Sequence, residues 1–127
     1  MTLPTTAKEA VLAANATFYA AMRNSDLVAM RTLWARHRRV SCTHPSGPAL
    51  FGRAAVMESW RLILEEGAPP DIEAVGVQVV VTGATALVLC EERIGGVSLM
   101  ASNVFAIEDG RWRMVSHQAS ALAGNLP

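Results

Sequence analysis

Apolar positions recur at helical spacing up to about residue 68 and at every second residue from 72 onward, so the chain divides into a helical first half and a strand-built second half. Thr6-Ala-Lys-Glu9 reads as a capping box, in which the Thr hydroxyl and the Glu carboxylate each satisfy an orphan backbone N–H. The helix that follows carries Val11, Ala14, Phe18 and Met22 on one face. Asn24-Ser25-Asp26 ends it and starts a second helix with Leu27, Met30, Leu33 and Trp34 as its stripe. A short strand over 39–43 puts Val40 and Cys42 on one face, and His44 continues that face at the strand end. His44-Pro-Ser-Gly-Pro48 is a loop. Gly52 precedes a third helix with Val56, Trp60, Ile63 and Leu64 inward. Gly67 suits its C′ position, and Pro69 and Pro70 prevent continuation.

Four strands are predicted at 72–82, 85–94, 97–108 and 111–120, joined by two-residue loops at Gly83-Ala84, Gly95-Gly96 and Asp109-Gly110. Asp-Gly between apolar runs is the strongest of these hairpin signals. Counting outward from the loops pairs Val81 with Ala86, Val79 with Val88, Val77 with Cys90 and Val75 with Glu92. The second hairpin pairs Glu92 with Leu99, Cys90 with Ala101, Val88 with Asn103 and Ala86 with Phe105. The third pairs Ile107 with Trp112, Phe105 with Met114, Asn103 with Ser116 and Ala101 with Gln118. These registers agree on one face, apolar except for Glu92, Asn103, Ser116 and Gln118, which the helices should cover. The opposite face holds Gln78, Val80, Leu87, Leu89, Glu91, Met100, Ser102, Val104, Val115 and His117. It is too apolar for water and implies a partner surface, most simply a homodimer through the sheet.

Composition narrows the class. A length of 127 residues fits a single domain over 1–127, and 51% hydrophobic against 17% charged residues suits self-association or an apolar ligand. Eleven basic and eleven acidic side chains cancel, which argues against nucleic acid or an anionic membrane as partner. The one basic run, Arg36-His37-Arg38-Arg39, reads as a solvated helix end. Cys42 and Cys90 lie in apolar runs without metal-ligand spacing, as reduced core residues of a cytoplasmic protein would. Residues 1–8 have no apolar signal core, and no run reaches membrane-spanning length.

The candidate chemistry is sparse. Glu92 faces inward at a strand end, where desolvation would raise its pKa toward the range of a general acid or base. His44, at a strand end beside a Pro/Gly loop, is the second catalytic candidate. Asn103 and Gln118 could polarise a ligand oxygen, or could simply pair with Ser116 and each other. His117 faces away by parity, although one bulge would turn it inward. Phe18, Tyr19, Trp34, Trp60 and Phe105 are either core or the wall of a pocket for a flat, apolar ligand, and Trp112 seals the last hairpin. No metal-ligand motif, phosphate loop or GxSxG elbow occurs, so neither metal nor cofactor is expected.

The order helix, helix, strand, helix, four-strand meander resembles the nuclear transport factor 2-like superfamily. The closing run Asn-Val-Phe-Ala-Ile-Glu-Asp-Gly-Arg-Trp-Arg-Met-Val-Ser-His-Gln-Ala-Ser, residues 103–120, is similar to that of its SnoaL-like branch and to the association domain of calcium/calmodulin-dependent kinases. The resemblance implies a cone-shaped α+β roll of cystatin-like type, with three N-terminal helices packed on a curved, mostly antiparallel sheet around a pocket. It implies a dimer through the convex sheet, and it places the Cys42 strand beside the last strand. The superfamily hosts enzymes and non-enzymatic domains, and the tyrosine–acid set of its ketosteroid isomerases is not reproduced on the strands here. Three readings follow: a small-molecule-binding protein; an isomerase, cyclase or dehydratase working by acid–base chemistry on a hydrophobic carbonyl compound; and an assembly domain.

Overall fold

The computed structural model describes residues 5–122. Helices α1 (Ala7–Arg23), α2 (Leu27–Leu33) and α3 (Arg53–Arg61) pack on one face of a six-stranded sheet. The strands are β1 (Ser41–Thr43), β2 (Leu50–Phe51), β3 (Ile72–Thr82), β4 (Thr85–Ile94), β5 (Val97–Glu108) and β6 (Arg111–Ala121). Their spatial order is β2-β1-β6-β5-β4-β3, antiparallel throughout except for β1, which runs parallel to β6. This is the expected α+β roll, with the small strand β2 added to the elements read from sequence.

Local chemistry explains the elements. Thr6 caps α1 by accepting from the Glu9 N–H at 3.1 Å, while the Glu9 carboxylate accepts from the Thr6 hydroxyl rather than from a backbone N–H. Asp26 caps α2 through the Ala29 N–H. The C-terminus of α2 is held by two guanidinium groups. Arg53 donates to the carbonyls of Arg31, Trp34 and Ala35, and Arg113 donates to that of Thr32. The Arg36–Arg39 run is an exposed bend after α2, pinned where the Glu108 carboxylate accepts the Arg36 and His37 backbone N–H groups. Helix α3 ends in a π-helical turn, Leu62–Glu66. Gly67 follows with φ −96°, so it is not the left-handed C′ residue expected; a Cβ there would lie 2.7 Å from the Ile63 carbonyl oxygen.

The strand registers hold at all three turns and slip at two bulges. At the first, Gly76 takes φ +61° and the β3–β4 pairing shifts between Val75 and Gln78, so Glu92 stands opposite Ala74 instead of Val75. At the second, Val115 is the extra residue of β6: Phe105 pairs with Met114 while Val104 pairs with Ser116. Beyond it Asn103 faces His117, not Ser116, and Ala101 faces Ala119, not Gln118. The side-chain period of two turns a one-residue slip into an exchange of faces. His117 therefore enters the interior, 3% exposed, and Gln118 moves to the outer surface.

The core lies between the helices and the concave sheet. Trp34, Met30, Met114, Phe105 and Val88 fill the end of the roll near the β5–β6 turn, all fully buried. Trp112 packs on that core, half-buried beside it. Among the described residues no helix is long and apolar enough to cross a membrane.

Candidate functional site

At the other end of the roll, near the β4–β5 turn, the interior opens into a cavity of about 180 Å³. Its apolar wall is built by Met22, Trp60, Ile63, Ile72, Ile94 and Leu99, and its polar groups are His44, Glu92 and His117. Each polar group arrives from a different element. Glu92 ends β4, His117 follows the bulge of β6, and His44 leaves β1, whose parallel pairing with β6 sets Cys42 beside His117.

Behind the cavity runs a chain of hydrogen bonds with defined donors. The Tyr19 hydroxyl donates to Glu92 Oε2 at 2.6 Å. Asn103 Nδ2 donates to Tyr19 Oη at 3.0 Å and to Asn15 Oδ1 at 2.9 Å. Asn103 Oδ1 is then left as an acceptor, so His117 Nδ1, 2.6 Å away, carries the hydrogen. Tyr19 Oη also contacts the Cys90 thiol at 3.2 Å. His44 is held separately by Nε2 to Ser59 Oγ, 2.9 Å, and Ser59 donates to the Val56 carbonyl. The His44 ring packs edge-on against Trp60, and its centroid lies 6.4 Å from that of His117.

Burial sets the charge states. It raises the Glu92 carboxyl above the ordinary value, partly opposed by the Tyr19 hydrogen bond. Burial lowers His117 to about 3, with the nearby His44 adding to the effect, and lowers His44 as well. The Tyr19 hydroxyl is pushed upward by burial and then by the Glu92 charge, so it stays a donor. The Cys42 thiol is pushed up to about 12 by burial and by Glu92, which leaves it unreactive. The site thus holds two imidazoles that burial keeps neutral beside a carboxyl group whose charged form burial disfavours.

Glu92 and His44 both line the cavity. Asn103 is fully buried and spends its amide on Asn15, Tyr19 and His117, so it positions the histidine rather than facing the cavity. Gln118 is exposed on the outer face, opposite Ser102, and leaves the site because of the β6 bulge. Trp34 and Phe105 belong to the core at the far end, and Trp34 Nε1 donates to the Met30 sulfur. Phe18 stands behind His117, ring centroids 4.8 Å apart, and Trp60 is the aromatic that forms cavity wall. Asn15 and Ser59 were missed. A signal existed for Asn15, a polar residue on the stripe of Val11, Phe18 and Met22. A separate surface group, His37, Glu108 and Asp109, brings ligand atoms within 4.8 Å of one another, but the Glu108 oxygens already accept backbone N–H groups.

The sequence profile of the SnoaL-like domain matches residues 11–124. The chain belongs to the SnoaL-like family. Within the nuclear transport factor 2-like superfamily, this SnoaL-like chain is similar to a candidate dehydratase from Streptomyces avermitilis, 35% identical, with a TM-score of 0.83 over 90% of this chain and 94% of the other. It is also similar to a candidate association domain of calcium/calmodulin-dependent protein kinase type II from Thiobacillus denitrificans, 32% identical, TM-score 0.78, covering 87% and 94%. A curated relative, the F-box protein SKIP8 of Arabidopsis thaliana, is 30% identical over 115 residues, 89% of this chain. The chain spans half the length of that F-box protein.

Proposed function

We propose that the cavity binds a small, largely apolar carbonyl compound and that Glu92 moves a proton on it. One observation carries this reading: a buried carboxyl group, its pKa raised by desolvation, shares an otherwise apolar cavity with two neutral histidines. As carboxylate, Glu92 takes a proton from the carbon beside the carbonyl, and as acid it returns that proton to the same or a neighbouring atom. Tyr19 holds the carboxylate in place, and His117 fixes the ligand's orientation. The similarity to a candidate dehydratase agrees with acid–base chemistry of this kind.

The test needs no knowledge of the natural substrate. Small cyclic ketones incubated with the protein in D₂O should exchange their α-hydrogens, followed by proton NMR. Glu92→Gln should slow that exchange by roughly 10²- to 10⁴-fold. Exchange at the uncatalysed rate with wild-type protein would reduce the reading to binding alone.

A second reading concerns assembly. The outer sheet face exposes Val80, Leu87, Leu89 and Met100 in adjacent rows of β3, β4 and β5. Such a patch favours a homodimer packed through this face, as does the likeness to an association domain.

A further inference from the structure

The hydrogen-bond chain behind the cavity decides more than the position of His117. Its direction follows from the Tyr19 end. Tyr19 gives its only hydrogen to Glu92, so its oxygen must accept from Asn103 Nδ2, and that leaves Asn103 Oδ1 to accept from His117 Nδ1. Asn15, from the middle of α1, takes the other Asn103 hydrogen. The imidazole is thus held in one tautomer, with a lone pair on Nε2.

That lone pair has no protein partner among the described residues. Nδ1 is taken up behind the cavity by Asn103 while the ring itself lines the cavity, so the side of the imidazole that carries Nε2 is the one turned toward it. A buried imidazole nitrogen with a free lone pair calls for a hydrogen-bond donor. Among the described residues Arg and Lys are absent from the cavity lining, so none of these would compensate a bound anion. A bound cation would have to be desolvated among Ile72, Ile94 and Leu99 beside a carboxyl that burial already disfavours as an anion. Size sets the last limit: an apolar cavity of roughly 150 Å³ holds one benzene ring, and this one measures about 180 Å³.

We propose that the cavity selects a neutral compound of single-ring size carrying a hydroxyl group that donates its hydrogen to Nε2 of His117, with Asn103 and Asn15 as the positioning residues that hold the acceptor in place. This assignment rests on the cavity being a small-molecule site, and it adds a donor requirement that the proton-transfer reading does not contain.

Two measurements test it. Nitrogen-15 NMR of the imidazole in wild-type protein should show His117 with hydrogen on Nδ1 and a bare Nε2 at neutral pH. Hydrogen on Nε2, or a charged ring, would overturn the proposal without any ligand. Titration calorimetry with cyclohexanol, methoxycyclohexane, cyclohexylamine and cyclohexanecarboxylate then reads the selection. Cyclohexanol should bind about tenfold more tightly than methoxycyclohexane. His117→Phe should erase that difference while still binding both, and Asn15→Leu should narrow it. Equal binding of alcohol and ether by wild-type protein, or tighter binding of the amine or carboxylate, would overturn the hydroxyl assignment and leave the cavity reading standing. No binding of any of the four would remove both.

Discussion

Glu92 and His117 sit in one apolar chamber, and burial moves their proton affinities in opposite directions. Their effects on stability therefore oppose each other. Native His117 titrates near 3 against an ordinary value of 6.5, so between these the unfolded chain holds a proton that the native one lacks. Stability should fall as pH drops through that window, by about 1.4 kcal/mol per pH unit for this one site. Urea unfolding of His117→Gln at several pH values should lack this one-proton slope, with the smaller contribution of His44 remaining. Glu92 behaves conversely. Its native pKa lies above the ordinary 4.5, so the native state keeps the proton longer, and stability should fall as pH rises through the interval between the two values. Glu92→Gln should be free of that decline and gain on wild type above it. Equal pH profiles for wild type and both variants would mean that neither group is buried as described.

At the scale of elements, two features bear stability that no helix or strand propensity records. Arg53 reaches from the start of α3 to three carbonyls at the end of α2, and a lysine cannot reproduce that fork. Arg53→Lys should lower stability by about 1–3 kcal/mol, read from denaturant midpoints, because the part-buried carbonyls of Trp34 and Ala35 lose their charged donor. Gly67→Ala should also destabilise, by about 1–3 kcal/mol, since the new Cβ meets the Ile63 backbone oxygen 2.7 Å away. An unchanged melting temperature would show that the turn after α3 yields freely. Elements were legible to different degrees. The four long strands and their turns were readable because Asp109-Gly110 and the paired glycines fix where each hairpin reverses. The two residues of β2 carry no period and stayed invisible. Gly76 inside a strand was a readable bulge signal, whereas Val115, a β-branched residue in an apolar run, offered none.

For the molecule as a whole, the sheet has one face under the helices and one face bare. Val80 is 59% exposed, and Leu89 and Met100 are each 38% exposed. Solitary apolar residues on a surface need no account, but these lie in adjacent rows of neighbouring strands. Sedimentation velocity should give twice the monomer mass for wild type, and Leu89→Glu with Val80→Lys should shift it to the monomer without changing the circular dichroism. A monomeric wild type would assign the patch to some other surface. The two proposals use different faces: the cavity opens at one end of the concave side, so a dimer through the convex side would leave it free.

The order of elements, the inward placement of Glu92 and the resemblance that led to the SnoaL-like family were all set by local pattern: hydrophobic period, caps and turn residues act within a few positions of one another. The composition of the site was decided only in three dimensions. One extra residue in β6 exchanged His117 for Gln118, whereas the parallel pairing of β1 with β6 that brings His44 to it is the one the family resemblance implied. Asn15, Tyr19 and Asn103 acquired meaning only as partners of one another. Period-two alternation carries no record of where it will slip, and a hydrogen bond between distant residues leaves no trace in the spacing of either.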